Sequence, residues 1–259
     1  MRSSLLSFSL AFFAISAQAA ISTARLAYKN GDYEEAASLA LAALSEQDPA
    51  AMDLLGDLFR EGLGVRRDME TAFGWYEKAA QLDYLPALYR AGVYAHEGRG
   101  TPADPQRALR WILRASEIKN PGAQFDAGTV DWIGYRASER EDPHALFVLA
   151  KILQNGWGVV RDARGAAELY AAAAMEDHPL ARINLGSMRL RGDGVGEDER
   201  SALGLFEKAA EQGFAIAQYN AGLLLSRERG PFMDKPRGKE LLERAAAQGF
   251  TPALRELSR

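Results

Sequence analysis

The sequence predicts an all-α protein, a right-handed α-solenoid of stacked helix–turn–helix units. Three observations carry that prediction. Ala51, Ala87, Ala123, Ala145, Ala181, Ala217 and Ala253 open similar segments, 36 residues apart except for one interval of 22. A glycine-rich turn follows the first half of the full segments, as Gly62-Leu63-Gly64, Gly98-Arg99-Gly100, Gly156-Trp157-Gly158 and Gly192-Asp193-Gly194, with only Gly230 kept in the fifth. An aspartate stands 17 residues after each of five opening alanines: Asp68, Asp104, Asp162, Asp198 and Asp234. Self-similarity at such a period marks an array whose units bury their apolar faces against neighbours.

Composition narrows the class. The 259 residues are 47% apolar with a net charge of −4, which suits a folded chain and supplies no basic field for nucleic acid. Cysteine is absent, so disulfides, thiolate metal sites and cysteine nucleophiles are excluded.

Residues 1–19 read as a signal peptide. Arg2 is the only charge before Arg25, and Leu5–Ser16 is a twelve-residue apolar run ending at the small-x-small site Ala17-Gln18-Ala19. Twelve residues fall short of the roughly 20 that span hydrocarbon. Cleavage after Ala19, no integral membrane span thereafter, and export into a bacterial periplasm are the expectations. Residues 20–50 form a capping hairpin around Gly31-Asp32-Tyr33. Residues 51–122 hold two full units, 123–144 a truncated one, 145–252 three more, and 253–259 a C-terminal cap.

Inside a unit, small and apolar residues at offsets 0, 4, 7 and 8 from the alanine give the first helix one apolar face. At offset five stand Gly56, Gly92, Ala150, Gly186 and Gly222. Glycine within a helix costs about 1 kcal/mol relative to alanine, so close approach of a neighbouring helix is the expected compensation. The recurring aspartate is placed to cap the second helix. Trp75, Trp111, Leu169, Leu205 and Leu241, followed by Tyr76, Ile112, Tyr170, Phe206 and Leu242, are expected as the large wedges of that helix. In the truncated unit, Trp132-Ile133 lies only nine residues after Ala123 and echoes Trp111-Ile112. Fifteen residues, including turn and cap, are missing. A change of stacking that divides the solenoid into lobes 24–122 and 145–259 is expected there.

The run from Leu54 to Ala80, LLGDLFREGLGVRRDMETAFGWYEKAA, closely resembles the Sel1-like repeat, a relative of the tetratricopeptide repeat. The resemblance spans about residues 24–255, and residues 20–50 resemble a tetratricopeptide-type cap. It implies a non-enzymatic protein-binding scaffold without a cofactor. One concrete form is a periplasmic regulator that binds the sensor domain of a membrane histidine kinase. Assembly of a secretion, polysaccharide-export or motility machine is the alternative class.

Residues for chemistry are sparse. His144 and His178 occupy consecutive connections between units, in Glu141-Asp142-Pro143-His144 and Glu176-Asp177-His178-Pro179. A metal site or a hydrolase at these tips is a further alternative, but no helical metal-ligand spacing accompanies them, so solvated turns are expected. The Gly-x-Gly turns lack the lysine and the strand of a phosphate loop. The better candidate is a strip on the first helices at offsets two, three and six. It comprises Tyr89, Arg90, Phe125, Asp126, Phe147, Lys151, Asn184, Tyr219 and Asn220 and is expected to grip a peptide segment of another envelope protein. Charge also segregates along the units. The connections are acidic, with Asp83, Glu141, Asp142, Glu176 and Asp177. The turn tips are basic on balance, with Arg66, Arg67, Arg99 and Arg161. An acidic edge of that kind steers basic partners.

Overall fold

The computed structural model describes residues 17–118, 124–125, 127–139, 141–227 and 231–258. The leader up to Ser16, Asp126 of the strip and Gly230 of the fifth turn lie outside them. The described chain is helical throughout, with no strand among the described residues. A capping hairpin of α1 (Ala17–Asn30) and α2 (Tyr33–Ala43) precedes two full units, α3 (Pro49–Glu61) with α4 (Met69–Gln81) and α5 (Leu85–Glu97) with α6 (Pro105–Glu117). A solitary α7 (Ala127–Glu139) follows. Three more units pair α8 (Pro143–Asn155) with α9 (Ala163–Met175), α10 (Pro179–Arg191) with α11 (Glu199–Glu211), and α12 (Ala215–Ser226) with α13 (Lys235–Ala247). The cap α14 (Thr251–Leu257) closes the array.

All five aspartates cap the second helix of their unit. Asp68 accepts from the Glu70 and Thr71 N–H groups, Asp104 from Arg107, Asp162 from Gly165, Asp198 from Ser201 and Asp234 from Arg237. Each satisfies a donor the helix leaves unpaired. The turn before the cap is tight: Gly100 has φ +71°, and a Cβ there would stand 1.9 Å from the Met69 carbonyl oxygen of the preceding unit. The second glycine is therefore needed for both backbone conformation and approach.

The offset-five glycine meets one large side chain of its own unit. A Cβ on Gly56 would lie 2.2 Å from the Tyr76 ring, on Gly92 2.7 Å from Ile112, on Gly186 2.8 Å from Phe206 and on Gly222 2.9 Å from Leu242. These partners, with Tyr170, are the true wedges, and all are buried. The position before them was expected to share that role. Trp75, Trp111, Leu169 and Leu205 are instead only half-buried, and Leu241 alone is buried. The 3.6-residue period turns that position toward the helix flank, where the Lys78 ammonium stands 4.0 Å from the Trp75 ring centre.

Among the described residues the truncated unit holds one helix, α7, which corresponds to the second helix of a full unit. It packs on α8 as second helices pack on the unit that follows. The face a first helix would cover turns to the start of the chain. Trp132 packs edge-on against Tyr28 of α1, 5.0 Å between centroids, Arg25 reaches Thr129, and Arg136 reaches into α3. Behind α7 the second run of units folds against the first. Tyr89 of α5 meets Phe147 of α8 at 4.9 Å, His96 of α5 stacks on Phe214 at 4.0 Å, and Leu109 of α6 joins Ala215, Phe250 and Ala253 in one apolar cluster.

Urea unfolding tests the wedge assignment. Tyr76→Ala is expected to cost about 3–5 kcal/mol and Trp75→Ala about half of that, since Trp75 buries less surface. Gly56→Ala destabilises, whereas Gly74→Ala, with open space around it, stabilises by up to about 1 kcal/mol. Equal costs for Tyr76→Ala and Trp75→Ala contradict the assignment.

Candidate functional site

The strip proposed for a partner is largely occupied by the protein itself. Tyr89, Arg90, Phe125 and Phe147 are buried. Tyr89 and Phe147 hold the same offset in different units and pack on one another across the two runs. Phe125 stacks on Trp157 at 5.5 Å. The strip is a real surface of the first helices, but the break at α7 closes much of it upon itself. Lys151, Asn184, Tyr219 and Asn220 remain half-exposed. Of these, Asn184 donates to the Leu180 carbonyl and Lys151 lies 5.9 Å from the Tyr89 ring centre.

Arg90 belongs to an ion cluster at the meeting of α3, α5, α7 and α8. Its Nη1 donates to Asp53 Oδ1 at 2.8 Å and Asp57 Oδ1 at 3.1 Å. Arg136, 2% exposed, pairs with Asp57, with Asp142 Oδ2 at 2.5 Å and with Glu61 Oε1 at 3.3 Å. Arg60 joins Glu61 at 2.5 Å and Asp142 at 3.4 Å, and the Tyr76 hydroxyl donates to Asp57 at 2.9 Å. Burial pushes the Asp57 carboxyl up, but Arg136, Arg90 and Arg60 outweigh it and hold it below its ordinary value. Asp142 is treated alike, mainly by Arg136 and Arg60, and is held well below the carboxylate range. At Asp53 burial wins over Arg90, and the pKa rises to about 6. Apart from Arg90 the cluster escaped the sequence reading. The available signal was Asp53 and Asp57, four residues apart at offsets two and six of the first unit, the strip's own positions.

His144 and His178 are buried, not solvated as expected. Their hydrogen bonds form one directed chain. The Ala181 N–H donates to His178 Nδ1 at 3.3 Å, so the proton of neutral His178 sits on Nε2. That group faces His144 Nδ1 at 3.4 Å, and His144 Nε2 donates to the Pro86 carbonyl at 3.0 Å. A second proton on His178 would oppose the Ala181 N–H. Burial lowers both rings, His178 to about 3 and His144 well below its ordinary value, where Arg90 and His178 add to the effect. Among the described residues no group of three or more His, Asp or Glu side chains is placed to hold a metal.

Over this cluster opens a cleft of about 640 Å³, lined by Arg60, Leu63, Arg67, Met69, Tyr94 and Arg99 on the first run and by Glu141, Asp142 and Pro143 on the second. A further 270 Å³ continues past Asp142 to Glu176, Asp177, Pro179 and Gln212. The two charge sets of the sequence therefore share one cleft: Arg60, Arg67 and Arg99, with Glu61 and Glu97 among them, on the first-run wall, and the acidic connections on the other.

The Sel1 repeat family model matches residues 49–84, 85–120, 143–178, 179–214 and 215–250. The chain belongs to the Sel1 repeat family. Each match begins at the first residue of a first helix, and α7 falls in the interval left between the second and third. Sel1 repeats mediate protein–protein interaction, and the family is typically a non-enzymatic scaffold. Among curated proteins, the chitin synthase regulator SKT5 of Saccharomyces cerevisiae is 26% identical over 151 residues, 49% of this chain and 22% of that protein. Chitin synthase regulatory factor 3 of Schizosaccharomyces pombe is 26% identical over 155 residues, 52% and 17% of the respective chains. The Sel1 chain thus spans about a fifth of the length of these relatives. Among solved structures, a protective antigen of uropathogenic Escherichia coli with an SLR fold is 26% identical, with a TM-score of 0.47 over 92% of this chain and 55% of that one. A Sel1 repeat protein from Oxalobacter formigenes is 26% identical, with a TM-score of 0.45 over 92% and 88%.

Two outcomes follow from the cluster and the histidine chain. Arg136→Ala leaves Asp57 and Asp142 buried without their main partner and is expected to cost about 3–5 kcal/mol in chemical unfolding. Arg114→Ala, which breaks a pair with Asp83 that is about half-exposed, costs at most about 1 kcal/mol. The second outcome concerns pH. A histidine whose pKa falls on folding stabilises the protein above its unfolded pKa of about 6.5 and loses that contribution as pH falls toward the folded value. Thermal melts should therefore lose stability below pH 6.5 through the histidines. Asp53, raised on folding, acts oppositely between about pH 6 and 4. His178→Asn removes one titration, so its melting temperature falls less steeply between pH 6.5 and 5 than that of the wild type. An unchanged slope contradicts a buried neutral His178.

Proposed function

We propose that this Sel1 repeat protein is an exported, non-catalytic adaptor that binds and regulates another protein of the bacterial envelope. The partner class we assign is the periplasmic sensor domain of a membrane histidine kinase. The observation that carries the binding role is the cleft, an open site lined by opposed charges on elements held rigidly by a buried ion cluster. Export is supported by the charge, apolar run and small-residue site of residues 1–19. Cleavage after Ala19 leaves Ala20, Ile21, Ala24 and Tyr28, all buried against the rest of the protein, within the mature chain. The names of the yeast relatives add support for regulation, since both are described as regulators of another protein.

N-terminal sequencing of the protein from a periplasmic fraction is expected to begin at Ala20. Crosslinking of the tagged protein in cells, with mass spectrometry of the products, is expected to yield one dominant membrane sensor. A set of export or motor components instead replaces the regulatory role with assembly. No product at all removes the adaptor reading.

A further inference from the structure

We propose that the cleft between the two runs of units receives an extended segment of the partner with an acidic half and a basic half, the acids on Arg67 and Arg99 and the bases on Glu141 and Glu176. The inference rests on the adaptor reading and deepens it.

The shape comes first. The two cavities share Arg60, Tyr94, Arg99, Asp142 and Pro143, so they form one continuous channel from the first-run turns at Leu63 and Arg67 to Gln212. The channel lies where the second run folds back onto the first, its lining drawn from both runs. Its floor is closed chemically: Arg60 and Asp142 bind each other and the buried cluster. The walls differ from the floor. Arg67 uses its Nε on the Arg60 carbonyl and has no ion pair among the described residues. Glu141 and Glu176 are exposed and likewise unpaired there. Arg99 shares Glu97 and stays 56% exposed.

Opposed walls select the occupant. A polyanion on Arg67 and Arg99 would meet Glu141, Glu176 and Asp177, and a metal ion would meet the arginines. A polypeptide supplies both signs and also apolar side chains for Leu63, Met69, Tyr94 and Pro179. Like charges set face to face exclude the wrong partner as strongly as opposite charges hold the right one.

The test uses fluorescence anisotropy with the mature protein and three labelled peptides of equal length: one with an acidic and a basic half, one wholly acidic, one wholly basic. The bipolar peptide is expected to bind about tenfold tighter than either other. Arg67→Glu with Arg99→Glu, and Glu141→Lys with Glu176→Lys, each weaken it about tenfold, and all four together restore it by reversing both walls. Equal binding of the three peptides, no binding, or indifference to both pairs of substitutions overturns the cleft assignment. Crosslinking the same variants in cells separates the two readings. If the wild type and both paired variants capture one partner equally, the adaptor stands and the cleft assignment falls. If the wild type captures nothing, the adaptor reading itself falls.

Discussion

The arrangement depends on where a single buried cation finds its counter-charges. Arg136 has almost no water and must be neutralised by protein. Asp57 and Glu61 come from α3 in the first unit, Asp142 from the connection into α8. Two stretches far apart in the chain, α3 and the passage from α7 into α8, are thereby drawn to one point. Asp142 also caps α8 with its other oxygen, accepting from His144 and Ala145. The start of the second run is thus fixed to the floor of the first by the same carboxylate that begins its helix. A buried ion cluster gives specificity of arrangement more readily than net stability, because desolvation offsets much of the attraction. A packing that carried α7 away from α3 would part Arg136 from Asp57, a penalty apolar contacts alone would not impose.

Within a unit, the governing contact is different and local. Glycine at offset five and a large side chain on the facing helix form a lock and its key, repeated with Tyr76, Ile112, Phe206 and Leu242. In the third unit Ala150 replaces the glycine opposite Tyr170, and that ring sends its hydroxyl to Gln154 instead. The repeat therefore tolerates a methyl group at this position. The caps, turns and wedges all act within some 30 residues, and none requires knowledge of the whole chain.

That difference in range explains what the sequence disclosed. The five aspartate caps, the Gly-x-Gly turns and the close approach at offset five were legible because each is a local rule repeated five times or nearly so. The wedge was legible only as a pair of positions, because both hold large apolar side chains and only the helix phase separates Trp75 from Tyr76. The strip was legible as a set of positions but not as an interface. Nothing local says that Tyr89 will meet Phe147 rather than a partner. The histidines were misjudged for the same reason: Glu-Asp-Pro-His looks solvated until α5 is laid across it and the Pro86 carbonyl accepts from His144 Nε2.

The truncated unit connects these levels. Removing a first helix exposes the inner face of α7, with Trp132 and Arg136 on it, and a regular neighbour no longer exists to cover that face. The array can bury it only by curling until α1 and α3 arrive. Curling brings the basic turns of the first two units opposite the acidic connections of the next two, which in an unbroken solenoid would lie along separate edges. Charge segregation that is unremarkable in a straight array becomes opposition across a cleft in a folded one. The loss of fifteen residues thus turns a generic repeat surface into a cleft with a closed floor, exposed arginines on one wall and exposed carboxylates on the other.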